Sequence, residues 1–252
     1  MACLGRGSAR ASGALVALLG CAAASSCTTT QQAASRLQLN DARIRASQLH
    51  TRIIALSTSI EARSVLVIPT RGHRTFVVVL RNLSSTPTSD NAIVIGLIGR
   101  TGRATPVNAA ANRPYFDAHL PSIPARGELT WVLTTSARVP PESRPYALVG
   151  RRSTPSPTVS APMPSLSVSS LNSAKRSGTR RKLVVRVQNR SSIPQYQLPV
   201  YAIVSRSGVP VAAGAAVIPA LGADSQAVVG IPMFGSATGG QLELEAPPTT
   251  YQ

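Results

Sequence analysis

From residue 58 onward the chain is a succession of short apolar runs rich in Val, Ile and Leu, interrupted by Gly, Pro, Asn and Ser. Runs of that kind between turn-forming residues predict strands. One earlier stretch has the other periodicity. Leu39, Ala42, Ala46, Leu49, Ile53 and Leu56 are spaced 3, 4, 3, 4 and 3 apart, which places them on one helix face. Arg43, Arg45 and Arg52 fall off that stripe. The pattern therefore predicts a short amphipathic helix ahead of an all-β body. The stripe is shorter than the three or four heptads that a coiled coil needs. Two uses stand for its Leu49, Ile53 and Leu56 end: a face for a protein partner, or a helix that packs on its own domain or spaces it from an anchor.

The strand texture repeats. Gly72 to Ser85 (GHRTFVVVLRNLSS) matches Gly178 to Ser192 (GTRRKLVVRVQNRSS) with one inserted residue. Each copy then meets a proline, Pro87 or Pro194, and a strand followed by a turn: Ile93 to Ile98 with GRTG, and Val200 to Val204 with SRSG. Ile123 to Gly127 (IPARG) parallels Ile218 to Gly222 (IPALG), and a strand follows each, Leu129 to Leu133 and Ala227 to Ile231. The last apolar strands are Tyr146 to Val149 and Leu242 to Glu245. Ordered landmarks predict one fold used twice, over 58–150 and 166–252. The size and strand count are those of an immunoglobulin-like sandwich. Residues 151–165 (RRSTPSPTVSAPMPS) read as a Pro/Ser linker and semi-rigid spacer.

The second copy resembles the small bacterial Ig-like modules of the CARDB and FxLYD type. The shared pattern is a strand ending in V-x-N, a Ser-rich turn, a strand, a polar-Gly turn, a strand and a Pro/Gly turn. It reads here as Val185 to Ser192, Val200 to Val204, Arg206-Ser207-Gly208, Val209 to Ile218 and Leu221-Gly222. The LYD core of the second family is absent; Tyr201-Ala202-Ile203 stands in its place. The resemblance implies that Asn189 caps a turn and carries no chemistry, and that the modules serve as surface binding or spacer domains. Asn82 and Asn189, although each opens an N-x-S triplet, read as turn residues.

All three cysteines, Cys3, Cys21 and Cys27, lie in the first thirty residues. Arg6 and Arg10 precede an apolar run from Ala14 to Leu19 that continues through Ala24, the pattern of an export signal over 1–27. Leu18-Leu19-Gly20-Cys21 resembles a bacterial lipobox, which implies a diacylglycerol on Cys21. Ala24-Ser25-Ser26-Cys27 makes Cys27 the alternative, and Ala22-Ala23-Ala24 is the site if the signal is an ordinary cleaved one. Residues 28–57 then hold a tether and the helix. Such a lipid anchor ties the chain to a membrane through its acyl chains. Ala22 after Cys21, where the resemblance would put Asp in a protein retained at the inner membrane, implies the outer membrane if the cell has one.

Composition sharpens the picture. Lys+Arg number 26 against 9 Asp+Glu, a net charge of +17, while charged residues are only 14% of the chain and about 25% is usual. The basic residues are nearly all arginine, and a dense cluster stands at Lys175, Arg176, Arg180, Arg181 and Lys182. Arginine forks bind phosphate and carboxylate bidentately, so this cluster is a candidate site for an anionic lipid or wall polymer. The alternative is an arginine-rich composition spread over solvated faces. Nucleic acid is excluded as partner by the export signal and by the want of aromatics interleaved with the cluster.

The common catalytic constellations are missing from the sequence. No H-E-x-x-H, nucleophile elbow or lysine-bearing phosphate loop is found. No metal or cofactor site is expected, and the chain reads as non-enzymatic. Phe116 to His119 places Asp117 and His119 on one face if it is a strand. Glu243 and Glu245 read as the solvated face of a terminal strand, and Gly235 to Gly240 as a hairpin loop. The expected protein is an exported, lipid-anchored envelope lipoprotein that acts as a binding or adaptor module near anionic surfaces. The second expectation is an accessory lipoprotein subunit of an envelope transport or secretion complex.

Overall fold

The computed structural model describes residues 53, 55–109, 113–136, 142–152, 163–171, 175–177 and 180–249, all within one compact unit, Leu39–Gln252. The segments expected to form the export signal with Cys21 and Cys27 and the helix through Leu49, and linker residues 153–162, lie outside the described residues.

Thirteen strands and one short 3-10 turn make up the described body. The first copy holds β1 (Ile60–Thr70), β2 (His73–Asn82), β3 (Ile93–Ile98), β4 (Ala104–Pro106), the 3-10 turn Tyr115–Asp117, β5 (Glu128–Thr135) and β6 (Arg144–Val149). The second holds β7 (Leu166–Ser170), β8 (Lys175–Ser177), β9 (Arg180–Asn189), β10 (Gln195–Arg206), β11 (Val209–Leu221), β12 (Gln226–Gly235) and β13 (Gln241–Glu245). The first copy forms two antiparallel sheets, β1-β2-β5 and β4-β3-β6. The second repeats that order as β7-β9-β12 and β11-β10-β13, with β8 added beside β9. A two-residue ladder, Ala212↔Gly235 and Ala213↔Phe234, joins its sheets into one seven-stranded sheet, with β8 off the path. The fold is all-β, built from packed sheets as the sequence predicts.

The repeat reaches individual hydrogen bonds. Asn82 Nδ2 donates to Thr86 O at 2.8 Å and to Pro124 O at 3.0 Å, and its Oδ1 accepts from Ser84 N at 2.9 Å. Asn189 Nδ2 donates to Ile193 O and Gly222 O, each at 2.9 Å, and its Oδ1 accepts from Ser191 N at 3.0 Å. Each amide closes its own turn and ties it to the turn before the strand paired alongside, β5 or β12. Both asparagines are buried, and neither has the left-handed backbone found at Ser207 and Gly208.

The copies diverge between the third and fifth strands. β11 runs for 13 residues, and its IPA segment stays in the sheet instead of turning. The matching β4 has 3 residues. There Asn108 takes the place of strand backbone: its Oδ1 accepts from Ile95 N and its Nδ2 donates to Ile93 O, both at 2.9 Å. A side-chain amide offers a donor and an acceptor as a peptide group does, and its second N–H leaves Asn108 free to donate to Asp117 O as well, at 2.9 Å.

The two copies are packed together rather than strung out. On β10, Leu198, Val200, Ala202 and Val204 join the core of the second sandwich, whereas Tyr201 and Ile203 join that of the first. Successive strand side chains point to opposite faces, so β10 is buried on both. Ala213 and Ala215 of β11 lie on the first-copy side too. They cover the outer face of β1-β2-β5, where Ile68, Thr75, Val77 and Val132 are buried. Ile203→Ala should therefore cost about 2–5 kcal/mol and lower a single cooperative transition in a guanidinium melt. If instead only half of the signal shifts, the copies unfold separately.

Candidate functional site

The basic cluster lies on one hairpin. In the β8–β9 ladder Lys175 stands opposite Lys182, Arg176 opposite Arg181 and Ser177 opposite Arg180. Like charges opposite one another in an antiparallel pair repel. Lys182 is exposed, and its stem lies across Gly230 of β12, where any Cβ would collide with it. Among the described residues the ion pairs are Arg63 with Glu61 and Glu128, Arg100 with Glu142, and Arg113 with Asp117. None of them neutralises Lys182. Strands β7, β8, β9 and β12 contain no carboxylate.

The predicted partner helix is only partly in view. Leu49 lies outside the described residues. Ile53 and Leu56 are described, and Leu56 forms an isolated bridge with Gly150. Ser57 N donates to Val149 O and Arg151 N to Ala55 O, each at 2.8 Å. This segment lies along the free edge of β6 through those bonds. Leu56 remains 54% exposed.

A second group of ionisable residues gathers where the copies meet. Tyr115–Asp117 is a 3-10 turn, not a strand, so Asp117 and His119 do not share a strand face. Pro114 and the helical backbone after it divert the chain. His119 stacks on Tyr115, with ring centroids 4.1 Å apart and planes within 2°. Asp117 pairs with Arg113 at 3.4 Å, and Arg113 Nη2 donates to Thr135 Oγ1 at 3.0 Å. Burial raises the Asp117 carboxyl above its usual range, and Arg113 opposes that shift. Trp131 Nε1 donates to Phe116 O at 3.0 Å.

Facing this group from the second copy are Tyr201 and Glu245, which stand opposite each other in the β10–β13 ladder. Burial pushes the Tyr201 phenol well up, and the charges of Asp117 and Glu245 add to the effect. Glu245 Oε2 accepts from Thr130 N at 3.2 Å. The carboxylate thus caps an unpaired N–H on the free edge of β5. Burial raises its pKa from 4.5 to about 7; Glu243 adds to that and the Thr130 hydrogen bond works against it. The solvated charged face expected for Glu243 and Glu245 holds for Glu243 alone, which is exposed. Alternation aligns both residues with one face, but the neighbouring copy covers only the Glu245 end. Among the described residues no His, Cys, Asp and Glu group could hold a metal ion. No helix among them is long and apolar enough to cross a membrane.

No family model and no curated protein matches the chain. Among solved structures it is similar to the C-terminal globular domain of an oligosaccharyltransferase from Pyrococcus abyssi, at 8% identity and a TM-score of 0.24. That match covers 83% of this chain and 52% of the other, so the chain spans about half the length of its neighbour. At this level the likeness carries neither fold nor function.

Burial of Glu245 fixes a pH dependence. The carboxyl binds its proton more tightly folded than unfolded, so protonation favours the folded state. That stabilisation is complete below about pH 4.5, declines as pH rises and is lost by about pH 7. At roughly 1.4 kcal/mol per tenfold change in proton affinity, it amounts to about 3 kcal/mol. Glu245→Gln should flatten the stability profile between pH 5 and 8, as read by guanidinium melts, and should exceed the native chain in stability at pH 8. A profile as steep as the native one would place the titrating group elsewhere.

Proposed function

We propose that this chain is an exported, non-enzymatic lipoprotein of the cell envelope, with its second sandwich acting as a binding module for anionic envelope material. The observation that carries this reading is the β8–β9 hairpin. Five basic residues occupy it, two like-charged pairs stand directly opposite, and none of its neighbouring strands supplies a carboxylate. Such an arrangement is costly alone and is relieved by an anion. The resemblance to CARDB- and FxLYD-type modules and the lipobox at Cys21 support the envelope setting. Acylation at that cysteine would hold the module beside the surface it binds.

Co-sedimentation with isolated envelopes across a salt series tests this. The Debye length falls from about 10 Å at 0.1 M to about 3 Å at 1 M, so binding should be lost over that range. Each Lys or Arg at an anionic surface contributes about 1 kcal/mol. Replacing Lys175, Arg176, Arg180, Arg181 and Lys182 together by Gln should weaken binding by at least about a hundredfold at low salt. Binding that survives both high salt and the replacement would assign the contact to a protein partner.

A further inference from the structure

The two copies offer the same sheet to opposite fates. Aligned on Asn82 and Asn189, Thr75, Val77 and Val79 of β2 correspond to Lys182, Val184 and Arg186 of β9. In the first copy this outer face is covered by β10 and β11, and Thr75 and Val77 are fully buried. In the second copy the corresponding face is open among the described residues. Lys182, Arg186 and Gln188 are exposed. Val228, the β12 partner of Arg186, is 59% exposed.

This face does not suit another copy of the chain. The surface that covers the first copy is Tyr201, Ile203, Ala213 and Ala215, and pressing it onto Lys182 and Arg186 would bury unpaired charge. It does suit an anion. None of its three strands carries a carboxylate, and the nearest acidic residues by register lie elsewhere. Asp224 stands in the turn at the far end of β9 from Lys182, and Glu243 lies on the other sheet. The face is an open sheet rather than a groove. It sets an exposed valine among its cations, the combination by which peripheral proteins seat on a charged bilayer.

Resting on the anionic-surface reading, we infer that the outer face of β7-β9-β12 docks on anionic phospholipid, with Lys182 and Arg186 at the head groups and Val228, beside Arg186, at the membrane interface. The hairpin is then one end of a larger contact surface that extends along β9.

The test uses the full chain with Cys21 and Cys27 replaced by Ser, so that no acyl chain contributes. It is sedimented with vesicles of phosphatidylcholine alone or mixed with phosphatidylglycerol. The native face should bind the mixed vesicles and not the neutral ones. Arg186→Glu reverses one charge and should weaken binding by about thirtyfold, on about 1 kcal/mol per charge. Val228→Asp should also weaken it. Arg103→Glu, the same change at an exposed first-copy arginine, should alter binding by less than about twofold. Equal losses for Arg186→Glu and Arg103→Glu would overturn the proposal in favour of net charge alone. Loss on neutralising the hairpin with no loss for Arg186→Glu would overturn it while leaving the hairpin reading intact. Binding to isolated envelopes but not to the mixed vesicles would also overturn it, by assigning the anion to a wall polymer. Unchanged thermal midpoints for both face variants exclude misfolding as the cause.

Discussion

Burial of β10 on both faces is the constraint on which the rest of the structure depends. A strand that serves two cores must be apolar at nearly every position, and residues Leu198 to Val204 meet that demand. Each side chain of this size removed from water contributes about 1.5–3 kcal/mol. The same strand therefore holds the second sandwich closed and fastens it to the first. Alanine at 212, 213, 215 and 216, with Gly214, lets β11 lie flat enough to share that duty. At Gly214 a Cβ would collide with the Pro232 carbonyl.

Fusing the copies in this way makes them unequal. One sheet loses its solvent face and carries Thr75, Val77 and Val132 there. Its counterpart keeps the face and carries Lys182 and Arg186. The basic excess of the chain is thus not spread evenly over equivalent positions. The carboxylates are scarce, and one of them is withdrawn from solvent: Glu245 is committed to the seam, where it caps Thr130. A buried carboxyl at an interface ties the cohesion of the two sandwiches to proton concentration, independently of what the basic face binds.

Much of this was legible in the residues. The equivalent repeat positions of Asn82 and Asn189 foretold matching roles, and the hydrogen bonds agree nearly atom for atom. Strand texture gave the all-β class, because period-two burial needs only local alternation. The Asp117–His119 alignment failed because three residues of 3-10 turn cannot be told from a short strand without their neighbours. The long β11 was hidden by Pro219, whose lack of an N–H is tolerated where the ladder is incomplete.

Arg186 could have been placed on the outer face because it alternates with Leu183, Val185 and Val187, which face the core. Its exposure could not, since Val79 has the same parity and lies in the covered sheet. Likewise Glu243 and Glu245 are indistinguishable in sequence, and only one of them meets the other copy. What the sequence by itself determined is what local periodicity and turn chemistry can specify: strands, turns, the repeat and the basic hairpin. Which faces are wet was decided only in the tertiary structure, because covering a face depends on residues more than a hundred positions away along the chain, as Thr130 and Glu245 show.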